Sequence, residues 1–339
     1  MHHEPNSRQV LILGGAGYIG SVLTRRLLKV GYPVRVLDAL LYNNGFAVSE
    51  LSGQPGFSFL RGDFCSGDDL DSALKGVTDV VHLAAVVGDP ACRKYPEMAR
   101  RINESGALAL IDRLNGSGVE RLVFMSTCSN YGLRLDDTKA TEESGLNPQS
   151  LYAETKVRIE RELLGRFGSC SFSFTILRSA TAYGLSPRMR FDLTVNEFTR
   201  ELALGRRLEV YDADTWRPYC HVDDISDAIA SVIRANREIV DGQVFNVGGG
   251  HENYTKRMIA TQLHQVIPRA DIKFREGRMD PRNYRVSFQK ISALLKFNPR
   301  ITLGSFIQEL AEAVKRGKYP PAPDERKVYT NDTPLEVLS

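Results

Sequence analysis

Three glycines at a G-x-x-G-x-x-G spacing, Gly14, Gly17 and Gly20, constrain the fold of this chain more than any other feature. They follow the apolar run Val10-Leu11-Ile12-Leu13, which reads as a buried strand. They precede a segment over 21–30 in which Val22, Leu23, Leu27 and Leu28 recur at helical spacing. In such a strand-turn-helix unit Gly14 permits the tight turn, and Gly17 lets a pyrophosphate approach the backbone. Gly20 lets helix and strand pack closely. The start of the helix then offers free N–H groups and the positive end of its dipole to phosphates. Tyr18 and Ile19, inside the same turn, belong to the predicted dinucleotide site.

The alternation continues downstream. Further strands are expected over 34–37, ending at Asp38, and over 57–60, 80–83, 122–125, 174–177 and 245–247. Helices are expected over 69–75, 97–115 and 150–167, then over 193–204, 222–235, 258–266 and 302–316. Strands alternating with helices imply an α/β fold, a doubly wound parallel sheet of Rossmann type covered on both faces. The pattern loosens after Gly184, where 186–191 reads as a polar, arginine-bearing loop. The expected organisation is a dinucleotide-binding domain over 1–184 with parts of 215–248. A smaller, discontinuous α/β lobe for substrate covers 185–319, and a poorly ordered tail covers 320–339.

The 339 residues suffice for a large core, and the formal charge of +3 is spread without a dense basic tract. That pattern disfavours nucleic acid as a partner. Five scattered cysteines without C-x-x-C spacing fit neither a metal site nor a disulfide framework. No apolar run approaches the roughly 20 residues of a membrane span. The expectation is a cytoplasmic protein without metal.

Asp38, at the end of the second strand, is placed to accept hydrogen bonds from an adenosine ribose diol and to repel a 2′-phosphate, which favours NAD over NADP. Asp63, beside Phe64 after the third strand, is a candidate for the adenine amino group or a solvated loop carboxylate. Tyr152 and Lys156, four apart, share one helix face. Alone, this spacing is common by chance. Downstream of the glycine turn it describes a phenol beside a cation. A unit charge about 4 Å away at an effective dielectric near 20 contributes roughly 4 kcal/mol. That would bring the phenol toward neutrality as a proton acceptor for a hydroxyl. Thr127, or its neighbour Ser126, would orient the reacting oxygen.

With these residues the chain resembles an extended short-chain dehydrogenase/reductase of the nucleotide-sugar epimerase/dehydratase family. Supporting motifs are His82-Leu83-Ala84-Ala85, Tyr131-Gly132, Leu177-Arg178, Tyr183-Gly184 and Arg217 to Asp224. The resemblance reaches to about Lys318. It implies bound NAD, an NDP-sugar substrate, a transient keto sugar and a homodimer. It makes Tyr152 the catalytic base, Lys156 a ligand of the nicotinamide ribose and Thr127 the hydroxyl partner. It also places Ala84 and Ala85 beside the cofactor with Asn103 in support, and Arg217 and Arg282 on the nucleotide diphosphate.

The chain departs from the family at several of these points. Cys128 and Ser129 stand where the family's 4,6-dehydratases carry an Asp-Glu pair, so elimination of water loses its acids. Cys128 is either an acid in their place or a small buried residue. Thr181 replaces an asparagine common in sugar epimerases. In the loop holding Val87 and Asp89, the carboxylate either faces the sugar or caps the following helix. Arg190 adds positive charge beside the substrate lobe. The implied function is an NDP-hexose epimerase acting at C4. The alternatives are a 4-ketoreductase or dehydratase of deoxysugar synthesis and, outside enzymes, an NAD-sensing or RNA-binding scaffold.

Overall fold

A computed structural model of the protein describes residues 8–277, 282–321 and 329–331. Seven strands form one wholly parallel sheet. In spatial order they are Phe57–Arg61, Val34–Asp38, Val10–Leu13, Asp79–His82, Arg121–Thr127, Ser173–Ser179 and Gln243–Val247. The order reverses between Val10–Leu13 and Asp79–His82, so a crevice opens there at the carboxyl ends of the strands. The strands around this point are buried on both faces, which explains their unbroken apolar runs.

Each predicted strand and helix is present, with ends shifted by a few residues. Two shifts bear on the site. The glycine-turn helix begins at Tyr18, so the turn feeds directly into it. The fifth strand runs on through Ser126 to Thr127, which brings that hydroxyl to the carboxyl edge of the sheet. The segment predicted as one helix over 97–115 is interrupted by a π-helical turn, Arg101–Gly106, between Pro96–Arg100 and Ala107–Leu114. This turn carries Asn103 into the interior.

The second lobe is built on Thr181–Tyr183, Trp216–His221 and Asn253–Thr255, with the parallel pair Leu208–Tyr211 and Ile272–Arg275 beside them. Helices Thr194–Ala203, Lys256–Val266 and Leu303–Lys315 pack on it. Its core includes Tyr18 and Val22 of the glycine-turn helix, in one cluster with Tyr183, Phe198 and Phe306. The chain also returns to the large sheet through Gln243–Val247, so the lobes share apolar surface and backbone pairing.

The amino edge of the sheet is closed by charge. Arg8 forms a two-pronged pair with the buried Asp79, Nε to Oδ2 at 2.7 Å, and donates to the Ile233 carbonyl at 3.1 Å. Arg121 donates to the carbonyls of Ile233 and Ala235 at 2.7 and 3.0 Å. Two guanidinium groups thus satisfy acceptors at the end of helix Val222–Arg234.

Described residues of the tail and just before it contact the second lobe. The carbonyls of Tyr319 and Pro320 receive hydrogen bonds from Arg200, and the Phe191 amide donates to the Tyr329 carbonyl at 2.8 Å. The rings of Phe191, Tyr319 and Tyr329 pack edge to face against one another. The remaining tail residues, 322–328 and 332–339, lie outside the described residues. Among the described residues no helix is long and apolar enough to cross a membrane, and no histidine, cysteine and carboxylate cluster could hold a metal.

Candidate active site

A cleft of about 480 Å³ lies at the topological switch point. Gly14, Gly17, Tyr18, Ile19 and Gly20 form its floor, with Asp38, Asp63 and Phe64 at one end and Thr127, Ser129, Tyr152 and Lys156 at the other. Ala84, Ala85, Val87, Asp89, Thr181, Arg190 and Arg282 complete the predicted residues that line it.

The glycine turn is as tight as the sequence requires. Gly14 has φ +83°, and a Cβ there would lie 2.8 Å from the Ala84 amide nitrogen. A Cβ on Gly20 would lie 2.3 Å from the Gly14 carbonyl oxygen. Helix Tyr18–Lys29 has no side-chain N-cap and no acid in its first turn. Its first N–H groups therefore face the cleft uncompeted, which fits a pyrophosphate. Asp38 accepts hydrogen bonds from the Ala16 amide at 2.9 Å and the Leu40 amide at 2.8 Å, which fix its carboxylate at the cleft. Burial pushes the Asp38 carboxyl above the usual carboxylate range, against those two hydrogen bonds. Asp63 accepts from the Cys65 amide at 3.0 Å and pairs with Arg101 at 2.8 Å.

Lys156 lies beneath the reacting end. Its Nζ donates to the Met125 carbonyl at 2.8 Å and sits 4.8 Å from the Phe124 ring centroid, but 5.9 Å from that of Tyr152. Burial draws its pKa down to about 8, with Cys92 and Glu160 acting in the opposite direction. Tyr152 does not meet the expectation of a phenol brought near neutrality. Its pKa is pushed up, first by desolvation, then by Cys92, with Asp89 and Tyr284 adding to the rise and Arg190 opposing it. The pairwise Coulomb argument left out desolvation, which disfavours the phenolate. In the ligand-free protein Tyr152 is a phenol.

Behind this helix a buried network joins the site to the sheet. Glu160, one turn beyond Lys156, accepts from Arg178 Nη2 at 2.7 Å and Nε at 3.0 Å, from Asn130 Nδ2 at 2.8 Å, and from Ser126 Oγ. Arg178 Nη1 also donates to Tyr131 Oη at 3.0 Å, and that hydroxyl donates to Asn246 Oδ1 at 2.7 Å. Ser126, the near alternative to Thr127, is thus engaged with Glu160, while Thr127 Oγ1 accepts from the Ser129 amide at 3.1 Å. The Leu177-Arg178 and Tyr131-Gly132 motifs and Ser126 marked members of this network, but nothing in the sequence marked its centre, Glu160.

Three predicted residues do not line the cleft. Cys128 is fully buried and its thiol donates to the Arg178 carbonyl at 3.1 Å. It is a small interior residue, because the strand end turns Thr127 and Ser129 outward and Cys128 in; burial raises its pKa well above the ordinary thiol value. Asn103 stands behind the wall and clamps Val86, accepting from its amide at 2.8 Å and donating to its carbonyl at 2.9 Å. Arg217 stacks 5.2 Å from the ring of Tyr284, which itself lines the cleft, and donates to the Trp216 carbonyl at 2.7 Å.

Asp89 is the first residue of helix Asp89–Lys94 but makes no cap; it pairs with Arg282 at 2.9 Å across the cleft mouth. Arg190 is held by Asp192, Nε to Oδ1 at 2.9 Å. Tyr42, Arg188 and Asn331 also line the cleft and were not predicted as site residues. The charge of Arg188 was visible in the sequence, but the direction of a loop side chain was not.

The chain and its fold are similar to those of known proteins. The chain is 30% identical over 302 residues to a dTDP-glucose 4,6-dehydratase of Streptomyces griseus, covering 87% of this chain and 90% of that protein. It is 29% identical to a UDP-glucose 4-epimerase of Lactobacillus helveticus over 86% and 92% of the two chains. The structure resembles that of the UDP-glucose 4-epimerase of Thermus thermophilus in complex with NAD, with TM-score 0.78, 26% identity and coverage of 91% and 99%. The family model of the NAD dependent epimerase/dehydratase family matches residues 10–248. With that match lying on the glycine turn, Thr127 and the Tyr152/Lys156 helix, the chain belongs to the NAD dependent epimerase/dehydratase family.

Proposed function

We propose that the protein is an NAD-dependent NDP-hexose epimerase that inverts C4 through a transient keto sugar. The observation that carries this reading is the side of the cleft after Thr127. Tyr152, Lys156 and Thr127 stand together there, while Cys128 is turned away and Ser129 offers a hydroxyl. The positions that would supply acids for elimination hold none, so reversible redox fits better than dehydration.

Bound NAD would accept and return hydride at the sugar carbon. Gly17 and the first turn of helix Tyr18–Lys29 would hold its pyrophosphate, and Asp38 its adenosine ribose. Thr127 orients the sugar hydroxyl, and Tyr152 exchanges its proton. The phenol form, which burial favours, is the donor that returns a proton to the keto oxygen in the second half-reaction. Lys156, charged below about pH 8, favours the phenolate needed in the opposite direction. Asp89 and Arg282, paired across the mouth, would meet the sugar and its diphosphate. A homodimer is part of the same reading.

The test is to identify the co-purified nucleotide by mass spectrometry and to follow a panel of UDP- and dTDP-hexoses by NMR. Interconversion at C4 without net consumption of NADH is the expected result, abolished by Tyr152→Phe with NAD still bound. Formation of a 4-keto-6-deoxy sugar, consumption of added NADH, or binding without turnover would each overturn the epimerase reading.

A further inference from the structure

The loop between the lobes forms a roof over the glycine turn. Ser186 Oγ donates to the Tyr18 carbonyl at 2.8 Å and meets Ser21 Oγ at 3.1 Å. Tyr18 Oη donates to the Gly184 carbonyl at 2.7 Å, and Asn196 Nδ2 donates to the Arg190 carbonyl at 2.9 Å. This bolting fixes the loop against the first turn of the phosphate-facing helix, and the loop carries two arginines that line the cleft. Their electrostatic situations differ. Arg190 is already neutralised by Asp192 in a two-pronged pair. Arg188, only 2% exposed, donates to the carbonyls of Met189 at 2.8 Å and Thr330 at 2.9 Å, and to Asn331 Oδ1 at 3.3 Å.

All three of these acceptors are neutral, and among the described residues no carboxylate forms an ion pair with Arg188. It lines the cleft 5.7 Å from the Tyr42 ring centroid, beside the like charge of Arg190 and in the fields of Asp192 and Asp38, neither of which pairs with it. A guanidinium this deeply buried needs a counter-charge, and its planar fork suits a phosphate.

We infer that Arg188 is a cofactor-binding residue, closing from the substrate lobe onto the phosphates at the adenosine side of the dinucleotide. This rests on the reading of the cleft as an NAD site. Residues 329–331 hold the arginine in place. The Phe191 amide donates to the Tyr329 carbonyl, the two rings lie 5.1 Å apart, and Arg200 covers both at 4.7 and 5.4 Å. The roof therefore straps both lobes over a cofactor that must survive two half-reactions without leaving.

The experiment measures release of NADH from the full-length holoenzyme by stopped-flow fluorescence, chased with excess NAD. Arg188→Met, Arg188→Lys and Asn331→Ala are compared with the wild type. Arg188→Met should release NADH roughly 10- to 100-fold faster, the loss of a charge-assisted hydrogen bond. Arg188→Lys should fall between, and Asn331→Ala should rise about threefold by losing one neutral hydrogen bond. Affinity of the holoenzyme for an NDP-hexose should stay within twofold, roughly, because Arg188 faces the other nucleotide. The rise in melting temperature on adding NAD should shrink in Arg188→Met. A purely structural arginine would lower both melting temperatures equally and leave that rise intact, which overturns the inference. Unchanged release, or lost NDP-hexose affinity with NAD retained, overturns it too while leaving the cleft an NAD site. Failure of the wild type to bind NAD at all overturns both.

Discussion

Replacing Arg178 by methionine removes the cation that Glu160 holds within the network behind the catalytic helix. The pair is deeply enclosed, with 4% and 1% of the two side chains exposed. Breaking a buried ion pair by deleting one partner costs about 3–5 kcal/mol, because the remaining charge stays desolvated. Here Glu160 would keep two neutral donors, Ser126 Oγ and Asn130 Nδ2, and Tyr131 Oη would keep Asn246. The expected loss is therefore near the lower end, about 3 kcal/mol. Glu160→Gln strands the arginine instead, with the Glu142 carbonyl and Tyr131 Oη as its remaining partners, and should cost a similar amount. In the double variant no charge is stranded, so its loss should be about 2 kcal/mol or more smaller than the sum of the singles. Urea unfolding at pH 7, followed by circular dichroism on all four proteins, gives the cycle. Glu160→Gln also removes a carboxylate that favours the Lys156 cation, so the alkaline limb of turnover should move to lower pH. A loss under about 1 kcal/mol for Arg178→Met, or additive losses in the cycle, would refute the reasoning.

Other outcomes follow from individual side chains. Cys128→Ala should keep turnover within about twofold and lose about 1 kcal/mol of stability, since the thiol packs inward; a hundredfold loss of turnover with the fold intact would give the thiol a chemical role. The Lys156 pKa is about 8 in the folded protein and 10.5 ordinarily, so the unfolded chain holds this proton more tightly. The penalty for its charge is complete below pH 8 and fades toward 10.5, so ligand-free stability should rise through that window by about 1.4 kcal/mol per unit and about 3 kcal/mol in all. Urea midpoints at pH 8 and 9.5 should rise more in the wild type than in Lys156→Met, and equal slopes would contradict the assignment. Gly20→Ala presses a methyl group onto the Gly14 carbonyl and the Gly15 Cα, 2.3 and 2.7 Å away, both backbone. It should cost about 3 kcal/mol and strip the purified protein of its nucleotide, measured by melting temperature and absorbance ratio.

Local pattern made the seven strands legible: the central ones are buried on both faces and carry apolar runs, while the edge strand Phe57–Arg61 is only part-buried and alternates. The glycine turn was legible for a similar reason: close approaches of backbone to backbone leave room for no other residue at Gly14 and Gly20. What stayed hidden depends on direction and on distant partners. Residue type could not show that Cys128 turns inward between Thr127 and Ser129, or that Asp192 neutralises Arg190 and leaves Arg188 for the cleft. Helix spacing put Lys156 beside Tyr152, but the Met125 carbonyl draws its ammonium elsewhere and desolvation reverses the expected shift of the phenol. The seating of Asn331 at the cleft depends on aromatic contacts between Phe191 and Tyr329, which lie far apart in sequence.

The charged closure at the amino edge of the sheet has a practical side. Arg8 is riveted to Asp79 and to the end of helix Val222–Arg234, on the face opposite the carboxyl ends where the cleft opens. Force applied to the chain at Arg8 loads a buried ion pair on that face rather than the nucleotide roof. Single-site capture at Arg8 itself, on the face away from the cleft, should present the molecules on a sensor surface with the cleft outward. Random coupling through lysines would instead give mixed orientations.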